Sequence, residues 1–469
     1  MKETELLQKA REFLRENREA IVADIGALVD IPSVQGSPAP GAPFGEGPRR
    51  ALDRALEIAA RMGFEPHSHE DCMGWFDLPG EREAHIATIA HLDVVPAGEG
   101  WTFEPFRMER RGDWLIGRGT DDDKGPLVYC MYLAKFFRES GIKLRYTLRT
   151  LMGCNEETGM GDVGPYLAAQ PQPLFCLSSD ALFPVCNGEK GLFQGEFVSP
   201  KLEGNVVDIQ AGEASNMIPE RAVCLVKFRG RLPLGREGIE AATEDGLLRI
   251  TAHGVGAHSA MPERGKNAIG LLVDFLLTEG LTDEDERPFF ELLHRLHLSP
   301  YGQGLGVDCK DDALGALTCV GGVIRMRDGV IRQNINIRYP AAVTGPGLAE
   351  RLEAAAGAAG SAFSLIDYSE PFFIPEEDPV IRLLLDAHRE VTGSAAPAYA
   401  WGGGTYARCF RRAASFGPGL AGEEIKPDFV GDCHGPDEGT SLSTLDESFL
   451  VYALAVLRMQ GLEPEELGG

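Results

Sequence analysis

HIATIAHLDVVP, residues 85–96, is a short apolar run that ends in polar residues. That pattern reads as a buried strand. A helix from about Leu127 to Ser140 follows, and then a second apolar run, YTLRTLMGC at 146–154. Strands alternating with helices at this spacing predict a largely parallel sheet covered on both faces. Ligands of such sheets gather outside the carboxyl ends of the strands. His91, Glu156, Glu157 and Asp180 each fall just after a strand-like run.

Working outward, residues 3–30 have the period of an amphipathic helix, and GSPAPGAPFGEGP (36–48) is a Pro/Gly-rich loop. RRALDRALEIAARMG (49–63) reads as a second helix, ended by Gly63. After about Lys190 the texture changes. GLFQGEFVS (191–199), RAVCLVKFRGRL (221–232), LLRITAHGVGAHSA (247–260) and GVIRQNINIRYP (329–340) alternate as antiparallel strands do, with helical GKNAIGLLVDFLLTEG (265–280) among them. From Glu370 the first pattern returns, with PVIRLLLDAHREVTG (379–393) as a helix. The expected fold is therefore α/β. A discontinuous catalytic domain, 1–190 and 374–469, carries a mostly parallel sheet flanked by helices. It is interrupted at 191–373 by an inserted α+β lid domain with an antiparallel sheet.

The bulk numbers exclude some classes. The chain has 469 residues, 43% apolar and 25% charged, ordinary values for a globular protein. Its formal charge is −26, which repels phosphate backbones and anionic lipid and argues against nucleic-acid and membrane partners. No run of about 18 apolar residues predicts a membrane span, and the charged N-terminus lacks the apolar core of a signal peptide. Ten cysteines are scattered without CxxC spacing. They read as reduced thiols of a cytoplasmic protein.

Five residues with a liking for divalent metals sit in compact signatures: His91 in AHLDVVP, Asp122 in GRGTDDDKG, Glu157 in GCNEETGM, Asp180 in LSSDALFP and His434 in DCHGPDEGTS. Together, nitrogen and oxygen donors in this number suit a pair of zinc-like ions sharing a carboxylate, the equipment of metal-assisted hydrolysis. Singly, each has a plainer reading. His91 and Asp93 lie two apart on a strand, so the acid can orient the imidazole; they also read as a core histidine and an unrelated acid. The three aspartates at 121–123 would usually mark a solvated turn, yet WLIG and PLVYCMYL hem them in. Glu156 and Glu157 read either as a base beside a ligand or as two exposed strand-end acids. Asp180 reads equally as a turn or cap residue. His294 and His297, three apart on a helix, read as a surface or half-buried helix face.

The set resembles the co-catalytic di-zinc amino- and carboxypeptidases, which include aminoacylases and succinyl-diaminopimelate desuccinylases; the dipeptidases of the peptidase V type are the branch it most resembles. GRGTDDDKGP and CNEETG are the motifs that carry this over the whole chain. The resemblance implies His91 and Asp180 as ligands of one ion, Glu157 and His434 of the other, and Asp122 as the bridge, with a cis peptide from Asp122 to Asp123. It implies Asp93 as the orienting partner of His91 and Glu156 as general base. In the insert, VGAHSAMPERGKNA supplies His258 for the oxyanion, GEASNMIPE supplies Asn216 and INIRYP supplies Arg338 for the substrate carboxylate. GGGTYAR (402–408) offers Gly403 and Gly404 as a loop for substrate backbone. Asp437 stands where an asparagine often precedes the glutamate, which leaves Glu438 without an assigned role.

The implied activity is hydrolysis of the peptide bond of dipeptides by a hydroxide bridging two Zn2+, with Mn2+ or Co2+ suiting the same donors. An N-acyl amino acid deacylase or desuccinylase would use the same ligands. A non-catalytic metal-binding protein on this fold would be expected to lose the base or the bridging acid, and both are present. The insert is longer than in dimeric relatives, which implies a monomer acting on a small peptide.

Overall fold

The structure is a computed structural model that describes residues 2–228, 233, 236–419 and 426–468. The chain forms two compact units. One comprises Met1–Asn187, Ile374–Tyr399 and Thr405–Gly469; the other comprises Gly188–Phe373 and Ala400–Gly404.

In the first unit the strand Arg82–His91 lies between Tyr146–Gly153 and Phe175–Ser178 and runs parallel to both. Phe175–Ser178 pairs in turn with Ala413–Ser415, again parallel. Antiparallel Met73–Leu78 and Pro66–His69 extend the sheet past Tyr146–Gly153. Every residue of Tyr146–Gly153 is buried, as a strand covered on both faces requires. Because three neighbouring strands run the same way, their carboxyl ends share one edge of the sheet. His91, the Glu156–Glu157 turn and Asp180 all come to that edge.

The helix Lys124–Glu139 is apolar almost all round and buried along nearly its whole length, as expected of a helix with no polar face. It packs against Glu3–Val29 and Leu442–Met459. Phe13 stacks on Phe449 with centroids 5.9 Å apart and meets Phe136 edge-on at 5.4 Å. Leu6, Ala10, Phe13, Leu14, Ile21 and Ile25 form the buried stripe of Glu3–Val29, three and four residues apart.

The second unit is built on an antiparallel sheet. Its order is Ile239–Glu244, Leu247–His253, Arg221–Val226, Val206–Ala211, Ile324–Arg327, Val330–Tyr339, Gly191–Val198 and Ala362–Ser369. Gly191–Val198 buries Phe193 and Phe197 and exposes Gln194, the period-two alternation that sequence predicts. The helices Ala268–Thr278, Arg287–His297 and Gly345–Ala358 bring Leu272, Phe290 and Leu352 to the core. The expected fold class is the one the chain adopts.

Two strand expectations need adjustment. The 247–260 segment is not one strand: Leu247–His253 ends, and Ala257–His258 pairs separately with Met217–Ile218. A Cβ on Gly254 would lie 2.0 Å from the Lys266 carbonyl oxygen, so the chain passes too close there for any side chain. The strand expected over 221–232 is Arg221–Val226, and 229–232 lie outside the described residues. No helix among the described residues is long and apolar enough to cross a membrane.

Candidate metal centre

The strand-end residues and two loops meet in the first unit. His91 is fully buried at the end of its strand. Its Nε2 lies 2.8 Å from Asp122 Oδ1 and 3.9 Å from Asp180 Oδ2. The other oxygen of Asp122, Oδ2, lies 2.9 Å from His434 Nε2, and His434 Nε2 lies 3.2 Å from Glu157 Oε1. One carboxylate thus faces two imidazoles, one per oxygen. The Asp122–Asp123 peptide is cis.

The donor atoms of His91, Asp122 and Glu157 all lie within 4.8 Å of one another, and so do those of His91, Glu156 and Asp180. Glu156 Oε1 is buried and has no hydrogen-bond partner among the described residues. A buried carboxylate oxygen without a donor is costly unless a cation or a bound water serves it. Imidazole and carboxylate donors in two adjoining groups fit divalent ions.

The protonation balance points the same way. Burial raises the pKa of Glu156 and of Asp180 well above the carboxylate range, and the negative charge of Asp180 and of Asp122, respectively, adds to it. Burial also acts against the charged form of Asp122, but hydrogen bonds from His434 and His91 outweigh it and hold this carboxyl below its usual range. Hydrogen bonds to Asp122 and Glu157 push His434 up to about 11. His91 is likewise raised, its burial outweighed by Asp122.

Asp93 does something other than the spacing predicts. His91 Nδ1 is 2.9 Å from the Asp93 main-chain carbonyl and 3.6 Å from the nearer carboxylate oxygen. The carboxylate instead accepts the backbone N–H of Glu156 and of Glu157, each at 3.1 Å. Burial raises its pKa to about 6.

Asp162 and Tyr406 were not anticipated from sequence. Asp162 Oδ2 accepts the Cys154 N–H at 2.6 Å, the Asn155 N–H at 3.2 Å and the Tyr406 hydroxyl at 2.6 Å. The Tyr406 ring stands edge-on to His91, with centroids 6.4 Å apart. A Cβ at Gly153 would fall 2.1 Å from Tyr406 Oη, so glycine at the strand end makes room for this tyrosine. The only sequence signal was a Gly at the end of an apolar run.

Asn216, His258, Arg338, Gly403 and Gly404 belong to the second unit. His258 pairs across a short ladder with Met217, and the Asn216 carbonyl accepts the Ser259 N–H at 2.8 Å, so Asn216 and His258 come together. Arg338 is buried in Val330–Tyr339, opposite Leu192 and Thr318. A Cβ on Gly403 would lie 2.2 Å from Trp401 Nε1.

Residues 87–458 match the profile of peptidase family M20/M25/M40. A Beta-Ala-Xaa dipeptidase of Lactobacillus delbrueckii subsp. lactis is 31% identical over 468 residues, covering 96% of this chain and 98% of its own. The fold is similar to human carnosine dipeptidase 1, with a TM-score of 0.60, 15% identity and coverage of 97% and 99% of the two chains. It is equally similar to the aminoacylhistidine dipeptidase of Vibrio alginolyticus, with a TM-score of 0.60, 14% identity and coverage of 94% and 96%. With the family profile covering most of the chain, including every residue of the metal centre, this protein belongs to peptidase family M20/M25/M40 and is a hydrolase.

Proposed function

We propose that the protein is a metal-dependent dipeptidase that acts in the cytoplasm as a monomer. The observation that carries the reading is Asp122, whose two oxygens each face a different imidazole. His91, Asp180 and Asp122 would hold one divalent ion; Glu157, His434 and Asp122 would hold the other. When bound, two such ions, Zn2+ by donor type with Mn2+ or Co2+ as substitutes, polarise the scissile carbonyl and lower the pKa of water.

The chain's own groups do the rest. Glu156, with its unpartnered oxygen, accepts a proton from the attacking water as the C–O bond forms. It returns that proton to the amide nitrogen as the C–N bond breaks. His258 donates a hydrogen bond to the developing oxyanion, with Asn216 beside it. Arg338 pairs with the free carboxylate of the substrate, and the Gly403–Gly404 loop lies along its backbone. A carboxylate clamp selects substrates with a free C-terminus. The name of the Lactobacillus relative supports a dipeptide, including one headed by β-alanine.

The test joins metal analysis to a substrate panel. Free dipeptides, β-alanyl dipeptides and N-acylated amino acids are assayed side by side on protein loaded with Zn2+, Mn2+ or Co2+. Free dipeptides should be cleaved and acylated amino acids spared; activity confined to the acylated set would replace the dipeptidase by a deacylase. Glu156→Ala should lower kcat by at least ~10²-fold with metal content nearly unchanged. Undiminished turnover would remove Glu156 from the role of base.

A further inference from the structure

Glu438 ligates nothing in the arrangement above, yet it is fully buried against the loop that carries Asp122. Its Oε1 accepts three amides of one loop: Gly119 N–H at 2.8 Å, and Asp121 and Asp122 N–H at 3.3 Å each. Converging backbone N–H groups of this kind form an anion-binding concavity. Its other oxygen pairs with Arg118 Nη1, whose residue is also buried. The Glu438 carbonyl takes the Gly117 N–H at 2.8 Å and the Thr120 hydroxyl at 3.3 Å. Residue 438 therefore grips the 117–122 loop by both its side chain and its main chain.

Arg118 carries the grip to the opposite loop. Its Nη2 donates to the carbonyl oxygens of His434 and Ala97, each at 3.2 Å. The Trp101 ring lies over its guanidinium, 5.2 Å from carbon to centroid. His434 needs such an anchor. Its side chain is 53% exposed, so packing does not hold it, and its backbone sits at φ 63°. His91 is the opposite case, fully enclosed and braced by the Asp93 carbonyl.

We infer that Glu438 is a positioning residue: through Arg118 and the loop amides it fixes His434 against Asp122 and so sets chiefly the affinity of the ion that His434 holds. The inference rests on the metal-centre reading given under Proposed function. A buried ion pair contributes little net stability against apolar residues of the same size, so stability alone does not account for this one. Groups behind the ligands of a metal site typically change affinity 10- to 100-fold when removed. The loss should be larger for the ion that His434 holds: Glu438 also accepts the N–H of the shared Asp122, but His91 is braced separately by the Asp93 carbonyl.

The experiment titrates Zn2+ and Co2+ into metal-free protein by calorimetry, and records the Co2+ absorption spectrum and the melting temperature of each metal-free form. Wild type should bind two ions. Glu438→Gln should lose about 10- to 100-fold in affinity for one ion and clearly less for the other, with a changed Co2+ spectrum at full loading. That variant leaves Arg118 an unpaired buried charge and will melt lower. The double variant Arg118→Gln, Glu438→Gln removes both charges, so its melting temperature should recover while the weak ion stays weak. Recovery of affinity together with melting temperature would reduce Glu438 to a structural role and overturn the inference. So would two wild-type affinities in Glu438→Gln. A wild type that binds neither ion would overturn the metal reading itself, and the inference with it.

Discussion

The carboxylate of Asp93 accepts the N–H groups of Glu156 and Glu157, so it sets the direction in which both glutamates leave the backbone. An acceptor on two successive amides fixes the turn by charge-assisted hydrogen bonds, about twice the strength of neutral ones. Asp93→Asn keeps the shape but turns an amide N–H2 toward one of those donors. The expected outcome is a fall in kcat of roughly 10- to 100-fold with KM little changed, because the substrate contacts assigned above lie elsewhere. Steady-state kinetics at saturating Zn2+ checks it; a change in KM alone would show that Asp93 serves substrate binding instead. The His91–Asp93 spacing predicted a shared side of one strand, but the strand ends at His91 and Asp93 lies just beyond it. The spacing could not disclose which oxygen of Asp93 would face the ring, since that depends on where the 155–157 turn arrives.

At the scale of elements, period was the readable quantity. The helix expected at 3–30 is Glu3–Val29, because its apolar residues recur every three or four positions. The buried strands announced themselves as apolar runs closed by polar residues, and their shared direction puts His91, Glu157 and Asp180 at one edge. What sequence left dark are contacts between residues hundreds of positions apart. Tyr406 reaches Asp162 and Arg118 reaches Glu438, and no local pattern foretells either. Gly254 broke an expected strand at shorter range, where the chain returns past Lys266. Helix packing gives a prediction at this scale. Phe449 is buried and touches the rings of Phe13, Tyr129 and Phe136. Phe449→Ala should cost about 3–5 kcal/mol by transfer and cavity formation. Urea unfolding followed by circular dichroism measures it, and a loss below ~1 kcal/mol would mean that the three-helix contact collapses to fill the space.

Across the whole molecule, a formal charge of −26 keeps the surface repulsive toward polyanions, while burial decides the response to acid. His85 lies in the strand that ends at His91, is 3% exposed and has a buried Nε2 with no hydrogen-bond partner among the described residues. Burial lowers its pKa from 6.5 to about 4, with the Arg149 charge adding and Asp77 partly offsetting. The neutral ring is thus favoured in the folded protein and carries no such preference when unfolded. Between pH 6.5 and about 4 the unfolded chain binds a proton that the folded chain refuses, so stability falls as pH falls. The contribution is fully present above pH 6.5 and is lost by the time the pH has dropped through about 4. Its full size is roughly 3 kcal/mol, at 1.36 kcal/mol for each tenfold difference in proton affinity. His85→Gln removes the titration. With metal stripped by chelator from both proteins, so that the centre titrates alike, urea unfolding at pH 7, 5.5 and 4.5 should show a shallower acid loss in the variant. Equal slopes would mean that His85 accepts its proton inside the fold and that the first unit yields to acid elsewhere.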